Sequence, residues 1–219
     1  MARYTLVVGT RNWSSWSLRP FVALKAAGAP YEIVDIRLRQ TDAPTTREQI
    51  LKHSPAGKVP VLKIEEGGST LTVWDSLAIC ETLAERHPEA ELWPRDPATR
   101  AIARSYACEM HSGFADVRDQ LSMNFARRKE LPQLRADTKT QIARILDAWE
   151  EVLGAYKGEF LFGSLSVADC MYAPVVSRFL TYGVDTSARV RAYMDRVMAL
   201  PAMQEWLRAA EREVESGLV

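Results

Sequence analysis

Hydrophobic and polar positions follow two different rhythms along the chain. From Tyr4 to about Trp74, short strand-type runs alternate with helical ones. Tyr4-Thr5-Leu6-Val7-Val8 is a near-continuous apolar run, the pattern of a strand covered on both faces. Leu18 to Ala27 places Leu18, Phe21, Val22, Leu24 and Ala26 at helical spacing and is closed by Gly28 and Pro30. Tyr31 to Ile36 reads as a second strand, so the first 36 residues predict a right-handed βαβ unit with parallel strands. A short helix over Thr46 to Lys52 follows. Val61 to Ile64 and Leu71 to Trp74 flank Glu66-Gly67-Gly68-Ser69, the signature of an antiparallel hairpin. Asp75 or Ser76 caps the next predicted helix, which runs to His87 ahead of Pro88.

Beyond Pro94 and Pro97 strand alternation disappears. Helical spacing predicts Ala98 to about Arg128, Pro132 to Tyr156, Val167 to Tyr182, Ser187 to Leu200 and Pro201 to Ser216. The expected layout is an α/β domain (βαβ-ββα) over residues 1–88, a proline-rich linker over 89–97 and an all-α helical bundle over 98–219.

Charge narrows the range of partners. Lys plus Arg and Asp plus Glu both number 28, so no net field draws the chain to nucleic acid or to an anionic membrane, and any anion site must be local. No apolar run approaches the roughly 18 residues of a membrane span, and Met1 to Trp13 carries no leader-cleavage pattern. Cys80, Cys108 and Cys170 are odd in number, widely spaced and set in apolar helical stretches. They read as buried structural thiols in a reducing compartment, and a cytoplasmic location is expected.

Three segments carry candidate chemistry. Asn12-Trp13-Ser14-Ser15-Trp16-Ser17-Leu18-Arg19 puts hydroxyls where a helix begins. They can cap backbone N–H groups, or they can build an anion site in which a hydroxyl donates to a ligand thiolate. Lys58-Val59-Pro60 precedes a strand. Its proline is an ordinary trans turn residue or, in the cis form, exposes the Val59 backbone to an extended ligand. Asp75-Ser76 opens a helix as a cap or as a grip for a carboxylate. A fourth motif, Ser166-Val167-Ala168-Asp169, fits a capping box ahead of the apolar run Cys170 to Val176 and reads as structural.

In this order the segments resemble the soluble glutathione transferases over nearly the whole length. Ser14-Ser15-Trp16-Ser17-Leu18-Arg19 is similar to the zeta-class (maleylacetoacetate isomerase) signature Ser-Ser-Cys-x-x-Arg, with Trp16 standing where that signature has cysteine. Pro55 to Pro60 resembles the family's cis-proline segment, and Asp75-Ser76-Leu77-Ala78-Ile79 its acidic-Ser-x-Ala-Ile motif. The resemblance implies a thioredoxin-like first domain and glutathione as co-substrate. Ser14, with Ser15 as its neighbour, would hydrogen-bond the thiolate. Val59 would pair its backbone with the tripeptide beside Pro60, Asp75 and Ser76 would hold the γ-glutamyl end, and Lys58 would reach the ligand. It also implies a homodimer and a small hydrophobic electrophile. A pocket for that electrophile is expected from Trp13, Trp16, Met110 and Phe114, although Met110 and Phe114 equally suit a core stripe.

With Trp16 in the cysteine's place, general conjugating transfer is the expected activity. Maleylacetoacetate-type isomerisation, glutathione-dependent disulfide reduction and a non-catalytic glutathione-binding module are the alternatives. His53, His87 and His111 show no metal-ligand spacing, so no metal is expected. A nucleophile elbow G-x-S-x-G is missing, and Ser14 and Ser17 occupy the positions of a redox C-x-x-C pair. Arg127-Arg128-Lys129-Glu130 reads as a solvated helix end.

Overall fold

A computed structural model describes residues 2–219. Four strands, β1 (Arg3–Gly9), β2 (Tyr31–Ile36), β3 (Val61–Glu66) and β4 (Ser69–Trp74), form one sheet in the order β2-β1-β3-β4. β1 runs parallel to β2 and antiparallel to β3, and β3 turns back onto β4 with Val61 opposite Trp74. Strand alternation divides the sheet between two cores. Tyr4, Leu6, Val8, Leu62 and Ile64 face the main core, which includes residues of α1 (Ser15–Ala26) and α3 (Ser76–Arg86). Val7 and Val61 point the other way, toward Ile50 of α2 (Thr46–Leu51), and with Ile36 make a small second core. This two-sided burial explains why β1 reads as unbroken apolar sequence.

The remainder is helical: α4 (Pro97–Ser112), α5 (Ala115–Gln120), α6 (Ala136–Ala155), α7 (Val167–Tyr182), α8 (Ala188–Ala199) and α9 (Pro201–Glu215). The main core runs without interruption from the sheet domain into this bundle. α7 lies at its centre, buried at every position except Leu180, which is half-buried. Trp149 of α6 packs against Tyr172, Phe179 and Tyr193 with ring centroids 5.5, 5.6 and 5.3 Å away. The capping motif is present: Asp169 Oδ2 accepts from the Ser166 N–H at 2.8 Å and from the Ser166 hydroxyl at 2.9 Å. Asp169 Oδ1 accepts from the Leu161 N–H at 3.1 Å. Burial outweighs these bonds and raises the Asp169 carboxyl to about 6.

Four expectations are corrected. The helix expected over Ala98 to Arg128 stops at Ser112, because Phe114 takes a left-handed backbone (φ 58°) before α5 begins. The last helix segment before Tyr156 starts at Ala136 rather than Pro132. Residues 121–135 are irregular, held by tertiary bonds such as Lys129 N–H to Thr181 C=O (2.8 Å). The basic cluster Arg127 to Glu130 therefore lies in this irregular segment and ends no helix. Cys108 is exposed, since α4 turns Ala103, Tyr106, Ala107 and Met110 inward and leaves Cys108 outside that stripe; Cys80 and Cys170 are buried.

Candidate active site

Between the β3 end of the sheet and α4 lies a cavity of about 320 Å³, lined by Trp16, Ala56, Lys58, Val59, Pro60, Trp74, Asp75, Ser76 and His111. Five of the residues singled out for ligand binding, Lys58, Val59, Pro60, Asp75 and Ser76, thus converge on it. The Val59–Pro60 peptide is cis. β3 starts immediately after it, so the Val59 backbone sits on the cavity wall just ahead of the sheet ladder.

Asp75 has a positive φ of 77° and divides its carboxylate between two tasks. Oδ1 caps α3, accepting from the N–H groups of Leu77 (2.9 Å) and Ala78 (3.3 Å). Oδ2 lies 3.2 Å from His111 Nε2 on α4, tying the two halves of the cavity rim. Ser76 is buried, lines the cavity and stands in the first turn of α3, yet its hydroxyl has no hydrogen-bond partner among the described residues. A buried hydroxyl without a partner is costly, and a helix N-terminus favours negative charge. Together they fit an anionic ligand group that accepts from Ser76.

The serine loop reaches the cavity through Trp16, and neither Ser14 nor Ser15 is among the lining residues. Ser14 precedes α1 but makes no capping bond; its hydroxyl donates to Ser17 Oγ at 2.7 Å, and Ser17 Oγ also accepts from the Gly9 N–H at 3.2 Å. Ser15 Oγ accepts from Arg178 Nη2 at 3.2 Å. Both serines are buried, and of the loop Trp16 is the residue that lines the cavity. Trp13 is half-buried and covered by the Arg39 guanidinium, 4.3 Å from its ring. Met110 is fully buried in the core and Phe114 nearly so; neither lines the cavity.

Behind Trp16 stand three arginines. Arg19 lies 4.1 Å from the Trp16 ring and donates from Nε to the Met171 carbonyl (3.1 Å), while Nη1 and Nη2 have no partner among the described residues. Burial, reinforced by Arg178 and Arg118, lowers the Arg19 guanidinium to about 9. Arg178 donates from Nε to the Leu121 carbonyl (2.8 Å), leaves Nη1 unpaired among the described residues and is lowered to about 10 by burial and by Arg118. Arg118 donates to the Gly113 carbonyl and sits 5.5 Å from the Trp16 ring. None of the three pairs with a carboxylate among the described residues. Local positive charge therefore accumulates behind the cavity wall of a chain whose net charge is zero.

Sequence reading missed Ala56, Trp74 and His111 as lining residues, and it missed the arginine cluster. The phase of α4 carried the signal for His111. Ala103, Tyr106, Ala107 and Met110 form one buried stripe, so the next position around the helix faces the rim. Arg178 was visible as the one charge in the otherwise uncharged stretch Cys170 to Tyr182. Among the described residues, no group of three or more His, Cys, Asp or Glu side chains is placed to hold a metal ion, and no helix is long and apolar enough to cross a membrane.

Comparison with known proteins identifies a family. The family described as glutathione S-transferase, N-terminal domain, matches residues 13–86, and its C-terminal domain counterpart matches residues 132–209. The maleylacetoacetate isomerase of Rattus norvegicus is 31% identical over 81% of this chain and 78% of its own length. That of Pseudomonas aeruginosa is 28% identical over 89% of this chain and 91% of its own. The crystal structure of a maleylacetoacetate isomerase from Anaeromyxobacter dehalogenans, with bound GSH in its active site, superposes with a TM-score of 0.69 at 28% identity, covering 95% of this chain and 96% of that one.

Proposed function

Because the chain belongs to the glutathione S-transferase family, we propose that it is a glutathione-dependent enzyme that joins the thiolate of glutathione to a small hydrophobic electrophile. The observation that carries this reading is that Ser76, whose buried hydroxyl has no partner among the described residues, shares a cavity lining with the cis Val59–Pro60 peptide. Ser76 and the first turn of α3 receive the γ-glutamyl carboxylate, with Asp75 facing the adjacent ammonium. The Val59 backbone pairs with the cysteinyl unit in strand fashion, and Lys58, exposed at the rim, meets the glycine carboxylate.

In this reading Ser14 donates its hydroxyl to the thiol. A free thiol has a pKa near 8.5, and lowering it by about two units needs about 2.7 kcal/mol of extra stabilisation of the thiolate. A hydrogen bond from the Ser14 hydroxyl contributes about 1.5–3 kcal/mol, and the N-terminus of α1 about 0.3–1 kcal/mol more. No charged base is required. Ser14 can turn its O–H from Ser17 to sulfur at little cost, because the Ser17 hydroxyl still has a proton to donate back to Ser14 Oγ. The nucleophile is the co-substrate's sulfur, and the serine remains neutral. The expected homodimer follows from family membership and is checked by the mass in solution at micromolar concentration.

A second reading is favoured by Arg19, Arg118 and Arg178. Three guanidiniums without carboxylate partners suit an anionic substrate, and the relatives named above are maleylacetoacetate isomerases, whose substrate is acidic by its name. In that case glutathione adds to the substrate, allows rotation and leaves again. Calorimetry with reduced glutathione, followed by turnover of an aryl halide and of maleylacetoacetate, tests both readings. Binding with turnover of the first supports transfer, and turnover of the second alone supports isomerisation. Turnover of a disulfide alone identifies the reductase, and binding with no turnover of any of them leaves the non-catalytic module. No uptake of glutathione overturns every one of these readings.

A further inference from the structure

Beyond Thr10, whose N–H still donates to the Ile36 carbonyl of β2 at 3.1 Å, the chain up to Ser14 has to hold its shape without a neighbouring strand. Within it, the Trp13 and Ser14 N–H groups both donate to the Thr10 carbonyl, at 3.0 and 2.8 Å. Its tip, Arg11-Asn12, is buried, and all four of its backbone polar groups are satisfied from the helical bundle. The Arg11 carbonyl accepts from Trp206 Nε1 at 2.8 Å, and the Asn12 carbonyl from the Phe125 N–H at 3.1 Å. The Arg11 N–H donates to Glu213 Oε1 at 2.7 Å, and the Asn12 N–H to Glu213 Oε2 at 2.8 Å. The Asn12 side chain adds bonds to Asn124 and to the Ala126 N–H, each at 2.9 Å.

Glu213 differs from the other partners in kind. Two adjacent N–H groups turned the same way need two acceptor atoms side by side, and a carboxylate supplies them as one rigid unit. A glutamine offers one oxygen and sets an NH2 group against the second N–H, leaving a buried donor facing a donor. The carboxylate approaches from the last turns of α9, about 200 residues away in sequence. The charged groups around it are Arg11 and Asp35 on the sheet side and Arg212 on its own helix. Burial pushes its carboxyl above the usual range, while the two N–H groups and Arg11 pull it back.

We propose that Glu213 is a positioning residue for the serine loop: by clamping the Arg11 and Asn12 amides it sets the direction in which Ser14 presents its hydroxyl to the glutathione sulfur. The proposal rests on the reading of Ser14 given above, but its first test does not. Amide hydrogen exchange is followed over residues 9–16 in the wild type and in Glu213→Gln, without ligand. Glu205→Gln is the control. Glu205 ties the same helix to α1 and β2 through Lys25 (2.8 Å) and Tyr31 (3.0 Å) and has no bond to the loop. Exchange over residues 9–16 should rise at least about tenfold in Glu213→Gln and stay within about twofold in Glu205→Gln. Equal effects in the two variants, or none in the first, overturn the proposal by reducing Glu213 to a helix-docking group.

The second test uses glutathione. In Glu213→Gln the dissociation constant should stay within about threefold, because Val59, Asp75 and Ser76 are untouched. Meanwhile kcat at pH 7 falls about tenfold, and the bound thiol, followed by its thiolate absorbance, titrates about one unit higher. Glu213→Asp, which keeps the paired oxygens on a shorter stem, should recover part of the loss. A loss of binding equal to the loss of kcat, or an unshifted thiol titration, overturns the assignment. If the wild type takes up no glutathione, the proposed function fails while the exchange result still decides what Glu213 does to the loop.

Discussion

The Ser14 hydroxyl donates to Ser17 Oγ at 2.7 Å, while the Gly9 N–H donates to the same Ser17 oxygen at 3.2 Å. Ser17 is thus an acceptor twice over, fixed to the end of β1, and it holds Ser14 in a rotamer that leaves the helix uncapped. Replacing Ser14 by alanine should lower kcat with an aryl halide at pH 7 by about 10- to 100-fold, the worth of a hydrogen bond to a charged sulfur. Glutathione affinity should change by less than about threefold. Ser15→Ala should leave kcat within about threefold, because Ser15 Oγ serves Arg178. An inactive Ser15→Ala beside a fully active Ser14→Ala would move the assignment by one residue.

Ser76 is predicted to matter for affinity rather than rate. Ser76 lines the cavity and its buried hydroxyl meets no acceptor among the described residues, so Ser76→Ala costs the apoprotein little. The bound γ-glutamyl carboxylate loses a charge-assisted donor, and the dissociation constant measured by calorimetry should rise about 10-fold or more. An unchanged constant with intact thermal stability would remove Ser76 from the site.

Arg19 carries charge into the core without a carboxylate partner, and its Nη atoms have no acceptor among the described residues. Arg19→Met keeps much of the volume and removes that charge, so unfolding in urea should show a gain of about 1–3 kcal/mol. If the isomerase reading holds, the same variant loses turnover of an anionic substrate while conjugation of a neutral aryl halide persists. Loss of stability would mean that the guanidinium is solvated or paired in solution.

Asp169 gives a pH signature. Its folded-state pKa of about 6 stands above the roughly 3.9 of an unfolded aspartate, so the folded state binds the proton more tightly. The stabilising effect of that proton is fully present below about pH 4 and is lost as pH rises through 6. Its size is on the order of 3 kcal/mol. The difference in unfolding free energy between wild type and Asp169→Asn should therefore shift against the wild type between pH 4 and 7. A flat difference would show that the carboxylate is satisfied where it lies.

Local patterns made much of this molecule legible. Strand and helix spacing gave the order of elements through α3, and the motifs at Ser14, Val59-Pro60 and Asp75-Ser76 led to the family. The break after Ser112 was hidden because the residues beyond it, such as Leu121, Met123 and Phe125, are apolar for tertiary reasons and imitate a continuing helix. Met110 and Phe114 have the spacing of a pocket stripe, but spacing along one helix does not say which face meets a cavity made with another element. Glu213 left no trace at all: in sequence it is one more acidic residue on an amphipathic helix end.

By itself, then, the chain determined what depends on neighbours a few residues apart: which segments become strands or helices, where a turn or cap belongs, and which short motifs open them. Tertiary structure alone decided which oxygens of Asp75 meet α3 and His111, that three arginines gather behind Trp16, and that a carboxylate from α9 holds the amides of Arg11 and Asn12. Those outcomes depend on distances between atoms far apart in sequence, and such distances are fixed only once burial of the common core has chosen how the two halves pack.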